Sequence, residues 1–580
     1  MKSSSKGPAE RPHGHRDRRR PGVLAVAAVG AVLLAGRAPA QPAPGLPKVS
    51  ASAEVSILGV DVVVTGKDGR PVHGLQAADF EVLHGGRAVA ITNFHEERDL
   101  GTGAGPVPGP RNPSASASGE APSEPATRRP PRHIVVFVDR LYLPEPGVRK
   151  DVFDGLKDFL GKSLAPGDEA MIVSWGDSVR IVRTFTGDLD ELGRTLDAVA
   201  RRAARLDAQA GELDQLAAQD LWFRSVAEAA GTSAPDAGST DLSRQVAEAQ
   251  AYNVMKAKTA ALRGLVALMA GMDGRKALVL VSHRFSRYPG REYAPAGAGS
   301  AVGLGRERDG RPLLEALAEA ANASGVTLYG VFPYDLESMP SAADSWTSYP
   351  TVTGVPVSAR NDAIWSNEMA GLDFVTGRTG GLTAGHPGLL PGFLETVESD
   401  LGSYYSIGFP ASGGGRPASV TVRVKRPGLE ARTRKTVAER TAEEQMSDRA
   451  LANLFAPDER ATIPISIVAG EAKPKGRKFR IPIEVKIPVG LLVRSAGQAS
   501  TTGRFSVFVV AASPNGDFSG VTRRRQAFEV KRGEEEAARN SHLTYTLEVE
   551  SEVPEPRISL GVWDEVGGES GFALVGRRRG

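Results

Sequence analysis

Residues 60–65, Val-Asp-Val-Val-Val-Thr, are rich in β-branched side chains and closed by Gly66-Lys67-Asp68-Gly69-Arg70, a pattern that predicts a strand and its turn. Residues 79–83 and 89–94 read as further strands joined through Gly85-Gly86, where the absence of Cβ atoms permits the positive φ of a tight hairpin. These elements predict a small β-domain over 54–98, short enough that it is expected to lean on a neighbour for its core. From 99 to 131 the chain is mostly Gly, Pro, Ala, Ser and Thr, which predicts a flexible linker and motion of the units on either side.

Beyond the linker the spacing changes. Residues 133–138 are a continuous apolar run, as in a strand covered on both faces, and 147–164 carry helical spacing. Further strands are predicted at 171–175, 179–185, 277–281, 326–331 and 404–409. Helices between strands imply a largely parallel, doubly wound sheet within an α/β domain spanning 132–436. Leu189, Leu192, Leu196, Val199, Ala203, Leu206, Ala210 and Leu213 form a lengthwise seam, which resumes at Tyr252, Met255, Thr259, Leu262, Val266 and Met269 after a break at 231–240. The expectation is an antiparallel helical hairpin inserted at about 188–272, either a partner-binding arm or a cover for its own sheet. A connecting helix is expected within 437–460. Half-buried strands at 463–468, 480–485, 505–510 and 545–549 predict a β-sandwich over 461–580.

Composition narrows the class. A chain of 580 residues exceeds one hydrophobic core, and 41% hydrophobic with 24% charged residues leaves enough apolar surface to fold most of it. The absence of cysteine excludes disulfides, thiolate metal sites and a cysteine nucleophile. Arg16, Arg18, Arg19 and Arg20 precede an apolar stretch at 23–35 that ends near Ala38-Pro39-Ala40, which predicts a signal peptide over 1–40, cleaved before Gln41. An uncleaved anchor and twin-arginine export are the alternatives. The expected location is the periplasm, the cell envelope or the exterior, with membrane contact only through the signal. Residues 1–40 carry a net +6, so the formal charge of +3 falls to −3 without them, and no general attraction to nucleic acid is expected.

The pattern V-V-V-T-G-K-D-G-R-P-V-H-G-L-Q-A-A-D-F-E-V-L-H-G-G, followed by A-P-G-D-E-A-M-I-V-S-W at 165–175, G-R-K-A-L-V-L-V-S at 274–282, T-G-R-T-G-G at 376–381 and Y-Y-S-I-G-F-P at 404–410, resembles von Willebrand factor A-related proteins of the acidobacterial type over about 54–440. That resemblance implies a metal site at the top of the sheet, where D-x-S-x-S after the first strand, a loop Thr and a later Asp hold a divalent cation through hard oxygen ligands. Here the first motif is Asp139-Arg140-Leu141-Tyr142-Leu143, and the expected S-D-G is Ser282-His283-Arg284. One carboxylate flanked by arginines is a poor seat for Mg²⁺ or Ca²⁺, so no cofactor is expected and Asp139 remains only a residual ligand. Asp139 could instead pair with His283 or Arg284, or accept loop N–H groups. The candidate partner-binding residues are Asp139, Arg140, Tyr142, His283 and Arg284.

Catalytic patterns are weaker still. Ser282, His283 and Asp139 would need adjacent strand-end side chains that point in opposite directions, and G-x-S-x-G, G-x-x-x-x-G-K-[ST] and H-E-x-x-H are absent. The expectation is an exported, non-enzymatic protein-interaction protein acting through the sheet's loop edge or the helical arm. A metal-dependent adhesin and a structural envelope component are the alternatives.

Overall fold

The computed structural model describes residues 57–98, 129–140, 143, 146–176, 178–202, 237–282, 285–290, 308–333, 357–411, 416–458, 460–497, 500–513 and 518–576. It is a mixed α/β chain with several sheets. The first strands are β1 (Ile57–Thr65), β2 (Phe80–His84), β3 (Arg87–Val89) and β4 (Asn93–Arg98). Gly85 and Gly86 both have positive φ, 58° and 78°, and close the two-residue β2–β3 hairpin.

The central sheet is built from β5 (Arg132–Asp139), β6 (Glu169–Trp175), β7 (Val179–Thr186), β8 (Arg275–Val281), β9 (Val326–Val331) and β10 (Thr383–Ala384), in the order β10-β9-β8-β5-β6-β7. All pairings are parallel except that of the edge strand β7 with β6. Its helices are α1 (Pro146–Ser163), α2 (189–202), α3 (Ala237–Ala270), α4 (Arg311–Ser324), α5 (Val357–Thr379) and α6 (Leu390–Gly402). Every residue of β5 is buried, as its unbroken apolar run requires of a strand covered on both sides.

Among the described residues the two seams of the expected hairpin do not pack on each other. Leu192, Leu196 and Val199 of α2 pack with α1 and α6 on one face of the sheet. Met255, Leu262, Val266 and Met269 of α3 pack with α4 and α5 on the other. Two seams of similar spacing thus read as one interface in sequence, although each meets the sheet. Helix α3 begins at Ala237, inside the expected break, and Ala203, Leu206, Ala210 and Leu213 lie outside the described residues.

The segment 54–98 does not form a domain by itself, and 404–409 does not join the parallel sheet. Strands β11 (Ser403–Pro410), β12 (Ala418–Val424), β13 (Glu430–Arg432) and β14 (Thr436–Val437) interleave with the first four as two sheets, β13-β1-β11-β4 and β14-β12-β2-β3. Val60, Val62, Phe80, Tyr405, Ile407, Phe409 and Val420 share their core. A short β segment obtains its missing apolar area from the far side of the α/β unit, which makes that unit an insertion in the first sandwich. The expected boundary at 436 therefore moves, because 403–437 complete the first sandwich.

Helix α7 (Ala442–Ala452) leads to β15 (Ser466–Ala469), β16 (Lys473–Lys475), β17 (Lys478–Pro488), β18 (Ser495–Ala496), β19 (Ser500–Ala512), β20 (Thr522–Lys531), α8 (Glu535–Arg539), β21 (His542–Ser551), β22 (Arg557–Asp564) and β23 (Ser570–Val575). Two antiparallel sheets enclose Ile481, Ile483, Val507, Val509, Leu547 and Leu560. Strand β19 was expected to be half-buried, yet it is covered on both faces. Phe505, Val507, Val509 and Ala511 enter the sandwich, while Phe508, Val510 and Ala512 join the core that holds α3 and α7. Most of the expected linker, 99–128, lies outside the described residues. The first sandwich is tied to the α/β unit: Arg275 of β8 donates to Asp61 at 2.6 Å, and Arg434 to the Asn322 carbonyl of α4 at 3.1 Å.

Candidate functional site

Strand β5 ends at Asp139, and Ser282 follows the last residue of β8, its parallel neighbour. The upper ends of these strands therefore lie side by side. Helix α3 runs back along them: about 18 Å of helix separates Lys258 from Ala270, and about 23 Å of extended chain separates Arg275 from Ser282. Lys258 is thereby delivered to the upper end, on the same buried stripe as Met255 and Leu262.

There the Lys258 ammonium donates to Asp139 Oδ2 and, at 3.2 Å, to Ser282 Oγ. The Ser282 hydroxyl donates to Asp139 Oδ2 at 3.1 Å. Exposure is 0% for Asp139 and Lys258 and 1% for Ser282. A carboxylate so enclosed requires a counter-charge, because an isolated buried ion is strongly destabilising.

This arrangement changes several expectations. Asp139 has no exposure, so it cannot meet a partner directly, and its described counter-ion is Lys258. Arg140 is half-buried, and its backbone N–H extends the sheet by donating to the Trp175 carbonyl at 2.9 Å. Leu143, at the second serine position of the resembled motif, is buried in the core beneath α1. Tyr142, His283 and Arg284 lie outside the described residues. Among the described residues, no group of three or more His, Cys, Asp or Glu side chains gathers as a metal ion would need. Lys258 was missed by the sequence reading, although its signal is visible: a lysine three residues after Met255 and four before Leu262 falls on an apolar stripe.

The other recurrent motifs position the fold. Asp168 of A-P-G-D-E accepts from Arg129 Nη2 at 2.8 and 2.9 Å, Arg132 Nε at 3.0 Å and the Arg132 and Ala165 amides. Gly274 precedes β8 at φ 77°, where a Cβ would lie 1.9 Å from the Pro131 carbonyl oxygen. Thr379 of the T-G-G element accepts from the Leu328 amide at 3.0 Å.

At the lower end, charges from different units converge. Arg275 reaches Asp61 of β1 and lies over the Tyr404 ring of β11. Burial pulls its pKa down, but Asp61 and the neighbouring tyrosines outweigh burial and raise it. Lys276 is lowered to about 8 by burial and by Arg434, against the pull of Asp273, Asp61 and Asp448. Burial raises Asp448 of α7 to about 6, against Arg440 and Lys276. Both are the response of buried ions whose charges are incompletely offset.

A polar group on the first sandwich does not make a proton-transfer chain. His73 Nδ1 lies 3.2 Å from Glu96, but Ser403 Oγ is 3.4 and 3.5 Å from the two ring nitrogens and addresses neither one. No helix among the described residues is long and apolar enough to cross a membrane.

No family model and no curated protein matches the chain. Among solved structures it is similar to the von Willebrand factor domain of the type V pili tip protein Mfa5 from Porphyromonas gingivalis, with 11% identity, 47% of this chain and 95% of that chain covered, and a TM-score of 0.23. It is also similar to proximal thread matrix protein 1 from the mussel byssus, with 10% identity over 48% of this chain and a TM-score of 0.20. The alignment spans about half, 47%, of the mussel protein. Likenesses this distant leave the function to be argued from the chain itself.

Proposed function

We propose that this chain is an exported, non-enzymatic protein-interaction protein whose α/β unit is a doubly wound, von Willebrand factor A-like domain working without a divalent cation. One observation carries the reading: Asp139, the acid retained from the resembled metal motif, is fully buried and paired with Lys258. A divalent cation needs six or more hard oxygen ligands or waters, whereas an ammonium has three N–H donors, two of which the described carboxylate and hydroxyl accept. The upper edge of the sheet is then available to a partner at any metal concentration.

Helix α3 supplies a second surface. Its 34 residues give about 50 Å of helix. In the part before Lys258, Met255 is buried and Glu248 lies against Gly290, while Val246 is 57% exposed. The exposed face around Val246 is the surface that would take the place of the expected hairpin arm.

The test is calorimetric titration with Mg²⁺, Mn²⁺ and Ca²⁺, paired with crosslinking of the chain to envelope proteins with and without chelator. The expected result is no saturable metal binding and a crosslinked set that ignores chelator but changes with Arg140→Glu. Saturable binding abolished by Asp139→Ala would restore the metal-dependent adhesin. A crosslinked set indifferent to Arg140→Glu and to charges placed along 237–257 would favour a structural envelope component.

A further inference from the structure

We infer that Asp139 and Ser282 form a monovalent cation site whose occupant is the chain's own Lys258 ammonium, tethered through α3, so that the site is permanently filled. This rests on the proposed metal-independent reading and deepens it by naming the chemical class the site takes: a primary alkylammonium. The acceptors come from the ends of two hydrogen-bonded parallel strands, so their separation is set by the sheet. The cation comes from a helix on one face. Nζ meets both oxygens, the hydroxyl also donates to the carboxylate, and all three groups are essentially inaccessible to water. Among the described residues, one carboxylate and one hydroxyl take two of the three ammonium N–H groups, while the same two groups supply only a small part of the oxygen shell of a divalent ion.

Tethering has a regulatory consequence. A free ion leaves when its concentration falls, whereas the ammonium can leave only if α3 moves off the sheet. Below Lys258 that helix is held by the core it shares with α7 and β19. Occupancy thus depends on how the C-terminal sandwich seats α3, and the upper edge stays in one state while that docking holds.

Chemical rescue tests this directly. Lys258→Ala removes three methylenes and the amine, a void that n-propylammonium matches atom for atom. The variant should melt several degrees below the parent chain, and millimolar propylammonium should return much of that loss saturably. Sodium and magnesium at equal ionic strength should not. Adding Asp139→Asn to Lys258→Ala should abolish the rescue. No rescue of the folded Lys258→Ala chain, equal rescue with Asp139→Asn present, or stronger rescue by Mg²⁺ would each overturn the inference.

If Lys258→Ala does not fold, the cycle of Lys258→Met, Asp139→Asn and the double variant decides. A double variant that melts well above the sum of the single losses supports a cation matched to its carboxylate, and additive losses overturn it. Metal binding by the unaltered chain that survives Asp139→Ala would sink the proposed function alone, whereas metal binding that Asp139→Ala abolishes would sink both.

Discussion

The two ends of the central sheet both bury charge, but they recruit it differently. At the upper end the counter-ion for Asp139 comes from α3, a helix of the same α/β unit. At the lower end Arg275 and Lys276 face groups on the first sandwich and on α7, including Asp61, Arg434 and Asp448. Ion pairs inside one unit hold that unit's shape, whereas pairs between units make the stability of each depend on its neighbour. The upper end is thus suited to a constant surface and the lower end to a rigid junction.

The sharpest break of that contrast is Asp168→Ala at the start of the sheet. It removes the described carboxylate partner of Arg132, whose side chain is 2% exposed, and the acceptor of two backbone amides. The expected loss is about 3–5 kcal/mol in chemical denaturation. A loss under about 1 kcal/mol would show that water replaces the carboxylate there.

Next is Lys276→Met, read against pH. The folded pKa of Lys276 is lowered to about 8 from its ordinary value of 10.5, so between those values the unfolded chain binds more protons and stability rises with pH. Below pH 8 both states are protonated and the full penalty stands. The parent should gain about 3 kcal/mol from pH 8 to 10.5, an increment that Lys276→Met should lack. Asp448 has the opposite slope: its folded pKa of about 6 lies above its ordinary value of 3.8, so its contribution to stability falls as pH rises between the two.

Asp61→Asn should cost less, about 2 kcal/mol, because that carboxylate is a third open to water and its ion pair is partly screened. Its signature is faster proteolysis at the junction of the first sandwich with the sheet, with metal response at the upper end unchanged. The smallest expected effect is Thr441→Ala. Thr441 caps α7, accepting from the Glu444 amide at 3.2 Å while Glu444 accepts from the Thr441 amide at 2.9 Å, and its loss should lower stability by about 1 kcal/mol. A larger loss would mean that α7 sets how the C-terminal sandwich docks.

How far the sequence could be read follows from the range of each interaction. The unbroken run of β5 and the Gly85-Gly86 hairpin announce themselves because neighbouring residues create them. Strand β11 was assigned to the wrong sheet even though it carries a clue: Tyr405, Ile407 and Phe409 alternate toward one core, unlike the continuous run of a strand covered on both sides. The two helical seams kept their period while changing partners, since period records which face is buried and not what buries it. The candidate site divides the same way. Asp139 and the loss of serine ligands were visible in one short stretch, while Lys258 stands 119 residues away from its carboxylate.

The sequence by itself determined the apolar runs and periods of the main strands and helices and the departures from the resembled motif at 139–143 and 282–284, because these depend on composition and local spacing. The tertiary structure alone decided that the α/β unit sits inside the first sandwich, that α2 and α3 take opposite faces, and that a lysine enters the place beside Asp139. Each of these is a choice among distant partners, settled by which arrangement buries the apolar surface while leaving the enclosed charges paired.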